Sequence, residues 1–283
     1  MPRLQAGELA GIAVTEPHSG SCPAAARTRA LPGPDGTWLV SGHKTWISRL
    51  TEAAVFVVFF RAPDDRLAVA AIDATDPGLH RRPIPPTGLA GWTWGILDLA
   101  SVPVHPTDIL AGDGMALLRQ HFAAYRPLVT ATALAGAAAV FDTVTTTLTA
   151  RRTVGDLPRL RDSALITIGR THAQLVTALL GAVAAFHLAE AEHDRAELWG
   201  AAMKAHGIDT ANQATAELAL LLGAIGFRVD SPIAKIRRDL NGLLYADGIH
   251  DSLYRTAGKH HTGLTGTAVP EQRGRPESAP VAV

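Results

Sequence analysis

An aspartate directly before a glycine can do two different things. The stretch Arg237 to Asp251, RRDLNGLLYADGIHD, carries such a pair at Asp247-Gly248. The residues before it read as the end of a helix and those after it as the start of a short new one. A carboxylate at such a break points off the helix end into whatever cleft the neighbouring elements form, where it can act as a base. Ordinary turn chemistry accounts for the same pair, with Gly supplying φ > 0 and Asp bonding its own backbone. Other reactive residue types are poorly placed. His250, His260 and His261 have no carboxylate at ligand spacing and read as solvated side chains, so no metal site is expected. The single cysteine, Cys22, reads as a small turn residue rather than a nucleophile. Lys204 reads as structural rather than catalytic.

The elements that would position Asp247 come from the texture of the chain. From Gly11 to about Leu110, short runs of β-branched and aromatic residues (Gly11–Thr15, Trp38–Ser41, Ala54–Phe60, Leu67–Ile72) alternate with Pro and Gly clusters. That spacing predicts an antiparallel β-barrel or sandwich. From about Gly112 to Lys259 proline is rare and apolar residues recur at helical spacing. Four long helices are predicted, Gly114–Arg151, Leu160–Ala191, Arg195–Gly223 and Pro232–Ala246, and an up-down four-helix bundle is their natural packing. The fold class is therefore α+β, with a β-domain over 1–111, a bundle over 112–261 and a disordered tail over 262–283.

Bulk properties bound the function. Of 283 residues, 47% are apolar and 18% charged, enough to bury a sizeable core. Lys plus Arg equals Asp plus Glu at 26 each, which argues against a nucleic-acid partner. One cysteine permits no intrachain disulfide and fits a reducing cytoplasm. The N-terminus MPRLQAGEL lacks an apolar signal core. The apolar stretch near Leu175 to Leu188 reads as too short and too mixed to span a membrane.

Seven segments, in order, resemble the acyl-CoA dehydrogenase family. Thr15-Glu16-Pro17-His18-Ser19-Gly20-Ser21 resembles its TEPxxGSD segment, and Gly42-His43-Lys44-Thr45-Trp46-Ile47-Ser48 its G-x-K-x-W-I-[ST] segment. Tyr125-Arg126-Pro127 opens a helix as the family's first bundle helix opens, and Arg151-Arg152-Thr153-Val154-Gly155 resembles R-x-x-F-G. Met203-Lys204 and Gly223-Ala224-Ile225-Gly226-Phe227 follow the A-K and G-G-x-G-[FY] segments. Arg238-Asp239 then precedes Asp247-Gly248, where the family carries R-D and a catalytic E-G at the same spacing. The resemblance covers about residues 1 to 260.

The resemblance implies flavin-dependent α,β-dehydrogenation of an acyl thioester, carried by CoA or a carrier protein. Asp247 would take the α-proton while a hydride leaves Cβ for FAD N5. The resemblance also places Thr15, Ser21, Trp46, Ser48, Arg151, Gly223 and Ala224 at the FAD and Ser21, Tyr125, Arg126 and Gly248 at the substrate. Arg151 would reach the FAD of a neighbouring subunit, since a planar guanidinium matches phosphate oxygens; a cation at a helix C-terminus is the rival reading. The implied partners are an electron-accepting flavoprotein and either a second copy, as dimer or tetramer, or a relative carrying the family's N-terminal helical domain. Departures accompany the likeness. Asp247 is one methylene shorter than Glu, Val154 replaces Phe, Leu220 replaces Gln, Ala224 the second Gly, Ile249 Thr and Cys22 an Asp, and Asp251 puts an acid near the pyrophosphate. Met1 falls just before the middle domain, so a fragment, or a partner supplying the missing helical wall, is expected. These features leave open a catalytically degenerate or half-site subunit that pairs with a full-length relative.

Overall fold

The computed structural model describes residues 5–18, 22–157 and 159–264. Its first half is a curled, mixed seven-stranded sheet: β1 (Ala10–Ala13), β2 (Arg29–Pro32), β3 (Trp38–Ser48), β4 (Val55–Arg61), β5 (Leu67–Asp73), β6 (Leu79–Pro83) and β7 (Trp94–Val104). The order is β1-β4-β2-β3-β7-β6, with β5 also paired to β4. β4 is a nearly continuous apolar run because both of its faces are covered. Phe56, Val58 and Phe60 point into the sheet's own core, with Val40, Leu97 and Val102. Val57 and Phe59 point the other way, onto Leu118 and Phe122 of the first long helix.

The expected β-domain followed by a helical bundle is what the chain forms. Two pairings differ from the antiparallel expectation: β1 runs parallel to β4, with Ala10 opposite Val55, and β2 meets β4 in parallel at Arg29 and Arg61. β1 and β4 are separated by two intervening strands, so no hairpin turn joins them and local sequence carries no sign of the pairing.

The second half holds α1 (Gly114–Thr153), α2 (Asp162–Glu190), α3 (Ala196–Leu220), α4 (Pro232–Leu243) and α5 (His250–His261). Asp113 caps α1, its carboxylate accepting from the Ala116 N–H at 2.8 Å. Ser231 caps α4 ahead of a proline at the first helical position. The bundle core is small-residue rich, with Ala133, Ala137, Ala178, Ala211 and Ala214 between Leu134, Ile208 and Leu240. Small side chains let α1, α2 and α3 approach closely. α1 and α2 are long and apolar enough to cross a membrane by length and composition alone. For α2 this corrects the reading of its apolar stretch as too short; within the fold α2 packs along α1 and α3. Tyr125-Arg126-Pro127 does not open a helix but lies inside α1. The helix continues past Pro127 because its apolar face continues, although the proline has no N–H to offer the Ala123 carbonyl. The fourth helix ends at Leu243, short of Ala246, and the new helix foreseen after the Asp-Gly break is α5. Of the tail, Thr262 to Leu264 form a turn, and 265–283 lie outside the described residues.

The loop after β6 docks the sheet on the bundle. Leu89 N–H donates to Asp239 Oδ1 at 2.7 Å, and Trp94 Nε1 donates to the Leu89 carbonyl at 2.8 Å. Gly88 lies so close to the Arg238 carbonyl that any Cβ there would collide with it. The Arg238-Asp239 pair is thus a domain clamp. Asp239→Ala should lower stability by about 1–3 kcal/mol, because the half-buried Leu89 amide loses its acceptor. Chemical denaturation of the two proteins checks this.

Candidate active site

The turn between α4 and α5 is fastened by its backbone. Asp247 and Gly248 both sit at positive φ, 55° and 108°. Arg126 Nε donates to the Asp247 carbonyl at 3.0 Å, and its guanidinium lies 4.6 Å from the Phe122 ring centroid. Lys204 is fully buried, and its Nζ donates to the Leu243 carbonyl at 2.8 Å and the Gly248 carbonyl at 2.9 Å. On the far side of the turn, His250 Nδ1 lies 2.9 Å from Asp209 Oδ1, and the Tyr254 hydroxyl donates to Asp209 Oδ2 at 3.0 Å. These bonds hold the main chain and leave the Asp247 carboxylate without a hydrogen-bond partner among the described residues. Burial pushes that carboxyl above its usual pKa, while the charges of Lys204, Arg126 and His121 pull it back. A carboxylate in this state can accept a proton from carbon and release it again.

Gly248 is irreplaceable at this point. A Cβ there would lie 2.8 Å from Leu253 Cδ2 and 3.4 Å from the Arg126 guanidinium, at a φ that L-residues rarely adopt. Gly248→Ala should therefore shift the turn by a fraction of an ångström and lower turnover at least about tenfold, a change read from steady-state kinetics.

On the sheet side, the two N-terminal motif segments are bound to each other. Thr45 N–H donates to the Thr15 carbonyl at 2.9 Å. Beneath this contact Lys44 Nζ meets Glu16 Oε1 at 2.7 Å and the Val14 carbonyl at 3.1 Å. Glu16 also accepts from the Arg27 amide at 2.7 Å and the Thr28 amide at 3.1 Å. Burial alone would raise the Glu16 pKa, but the bond and charge of Lys44 and the two amide bonds outweigh it and hold the carboxyl at about 2. The register between β3 and β7 breaks between Lys44 and Ile47, and within that bulge Trp46 has φ 56°. Its indole is 54% exposed, a large apolar face left uncovered by the fold. Thr15 and Ser48 are half-buried, and their hydroxyls have no partner among the described residues. Ser21 lies outside the described residues.

Arg49, three residues beyond Trp46, lies over the Trp92 ring at 5.4 Å. Burial pushes the Tyr125 hydroxyl pKa up, the Asp247 charge adds to this, and the Arg49 charge opposes it. His121 stacks on Tyr125 with centroids 5.3 Å apart and planes 17° apart, and burial pushes its pKa down. The structure thus gathers Tyr125, Arg126, Asp247 and Gly248 at the turn between α4 and α5, while Trp46 stands on the sheet. Glu16 and Lys44, which the sequence reading passed over, were flagged only by lying inside the two motif segments. Lys204, read as structural, proves to hold the turn itself.

The profile described as "Acyl-CoA dehydrogenase, middle domain" matches residues 11–102, and "Acyl-CoA dehydrogenase, C-terminal domain" matches residues 112–261. The chain belongs to the acyl-CoA dehydrogenase family. A probable acyl-CoA dehydrogenase of Bacillus subtilis (strain 168) is 35% identical over 108 residues, 36% of this chain and 18% of that protein. Benzylmalonyl-CoA dehydrogenase of Aromatoleum aromaticum is 28% identical over 262 residues, 89% of this chain and 68% of that protein. Among solved structures, a glutaryl-CoA dehydrogenase from Mycobacterium smegmatis in complex with FADH2 superposes with a TM-score of 0.82 at 22% identity. That match covers 93% of this chain and 68% of the other.

In this acyl-CoA dehydrogenase family chain, the other three sequence-predicted cofactor residues lie elsewhere. Arg151 is near the C-terminal end of α1, and Gly223 and Ala224 stand in the exposed turn after α3. Leu148 and Leu222 share one apolar cluster, which puts these residues at the same end of the bundle. That end is far from Arg126: 25 residues of α1 at about 1.5 Å each span roughly 37 Å. Arg151 therefore does not join the cleft around Asp247 within one copy. Leu220 is 79% exposed and Val154 71% exposed at this end.

Proposed function

We propose that this chain catalyses flavin-dependent α,β-dehydrogenation of an acyl thioester, with Asp247 as the base. The observation that carries this reading is the Asp247 carboxylate, unpaired and raised in pKa on a fastened turn, in a chain whose sheet carries the exposed Trp46 on its own wall. The residues present suit a flavin on that wall. An open aromatic face matches an isoalloxazine ring, and the unpaired Thr15 and Ser48 hydroxyls suit its polar edge. When bound, FAD supplies the hydride acceptor. Asp247 takes the proton from Cα, and its own backbone amide would donate to the thioester carbonyl and stabilise the charge that develops there. Arg126 holds the Asp247 carbonyl and so fixes the Asp247–Gly248 peptide plane beside the carboxylate. Tyr125 and Gly248 would line the acyl path, and Ser21 would add a contact to substrate and flavin. The acyl carrier would be CoA or a carrier protein, the electron acceptor a second flavoprotein, and the compartment a reducing cytoplasm.

The roughly 37 Å along α1 from Arg126 to Arg151 supports a shared flavin site in which Arg151, Gly223 and Ala224 serve another subunit, within a homodimer, a tetramer or a complex with a longer relative. A half-site subunit is the second reading, favoured by the exposed Leu220 and Val154 where the family carries flavin-facing groups. The two readings separate on the visible spectrum of the purified chain after FAD addition and desalting. A catalytic homo-oligomer retains oxidised-flavin bands and loses them in Trp46→Ala. A half-site subunit is colourless alone and retains flavin only when co-expressed with a relative carrying the helical domain.

A further inference from the structure

We propose that Lys204 is a positioning residue for this reaction: its buried ammonium ties both ends of the turn that carries Asp247 and supplies the charge that keeps that carboxylate ionised. The inference rests on Asp247 being the base. Lys204 spans the turn, because Leu243 closes α4 and Gly248 follows Asp247, and Nζ reaches both carbonyls within 2.9 Å. A helix end needs no such group, since water or a glycine cap satisfies terminal carbonyls at much lower cost. Burying an ammonium with no carboxylate bonded to it is expensive. The consequence shows in Lys204 itself, which burial pulls down to about 8 against the upward pull of Asp247. A fold that needed only two carbonyls capped would not keep a charge there.

The surroundings leave Lys204 as the principal charge acting on Asp247. α1 presents Arg126, a second cation already committed to the Asp247 carbonyl, with His121 and Tyr125. α3 presents Asp209, which is engaged by His250 and Tyr254. α5 presents Asp251, whose charge acts on His250. α4 contributes the Leu243 carbonyl to the clamp, and its Lys235 and Asp239 pair with each other. An opposite charge lowers a carboxyl pKa, so removing Lys204 must raise that of Asp247 and leave less base at a given pH.

The test is carboxyl-carbon NMR of the full chain labelled at aspartate, with the Asp247 resonance assigned by its loss in Asp247→Asn. It requires neither flavin nor turnover. In Lys204→Met and Lys204→Gln the Asp247 midpoint should rise by about one pH unit, and in Lys204→Arg it should return most of the way. In the wild-type chain the same resonance should show a second inflection near pH 8, where Lys204 gives up its proton. A merely structural lysine would produce neither effect. An unchanged Asp247 midpoint in folded Met and Gln variants would overturn the proposal. If neither variant folds, the absence of the second wild-type inflection overturns it. Full turnover in Asp247→Asn would remove the base assignment while leaving the titration result standing, so the two failures are distinguishable.

Discussion

Asp247→Asn should lower the turnover number by about 10²- to 10⁴-fold, the range in which a positioned base contributes, while flavin retention stays unchanged. Asparagine is the appropriate replacement. It matches aspartate in size and tolerates positive φ, so a residue at φ 55° keeps its backbone and the Arg126 bond to its carbonyl. Only the proton acceptor is lost. Restoring the family's longer acid, Asp247→Glu, alters a different variable. It moves the carboxylate outward by a distance on the order of 1 Å, enough to change rate by about 10²-fold in either direction. Turnover with an artificial electron acceptor reads both variants, and unchanged turnover in Asp247→Asn would remove Asp247 from the base position.

Lys44→Met should cost about 3–5 kcal/mol of stability, because it leaves a buried carboxylate without its cation. The pair lies between the segment after β1 that carries Thr15 and the bulge that carries Trp46, so the same change should also weaken flavin retention. Glu16→Gln should be milder, since an amide oxygen still accepts from the Arg27 and Thr28 amides. The pair gives an acid signature with a definite sign. Glu16 titrates at about 2 in the folded chain and near 4.5 when unfolded, so its contribution is complete above pH 4.5. It fades as pH falls from there towards 2, where the unfolded chain binds the proton first. Burial holds Lys44 below the usual lysine range despite the pull of Glu16, so the acid window belongs to Glu16 alone. Denaturation midpoints from pH 6 down should decline more steeply in the wild-type chain than in Glu16→Gln; parallel declines would contradict this.

How much of this was legible in the sequence follows the range of each interaction. The Asp247-Gly248 break was visible because turn chemistry is local, and the short helix after it followed. The β-domain and bundle were visible because period-2 and period-3.6 patterns are local too. The parallel pairing of β1 with β4 was not, since its partners are 45 residues apart with two strands between them. Pro127 misled, because a proline suggests a helix opening and only the continuing apolar face of α1 shows otherwise. The Leu89–Asp239 clamp joins residues 150 positions apart, and nothing near either residue announces it. Lys204 illustrates the same limit most sharply. On an alanine-rich helix a lysine reads as a solvated or structural charge, and only the fold shows it reaching two carbonyls around the base.

Mixing the flavin-loaded chain with a panel of acyl-CoA thioesters without oxygen, and following the oxidised-flavin absorbance, tests both the dehydrogenation and its base. Rapid bleaching by at least one thioester is expected, slowed about 10²-fold or more in Asp247→Asn. Bleaching at the same rate in Asp247→Asn, or a flavin-loaded chain that no acyl thioester bleaches, would contradict it.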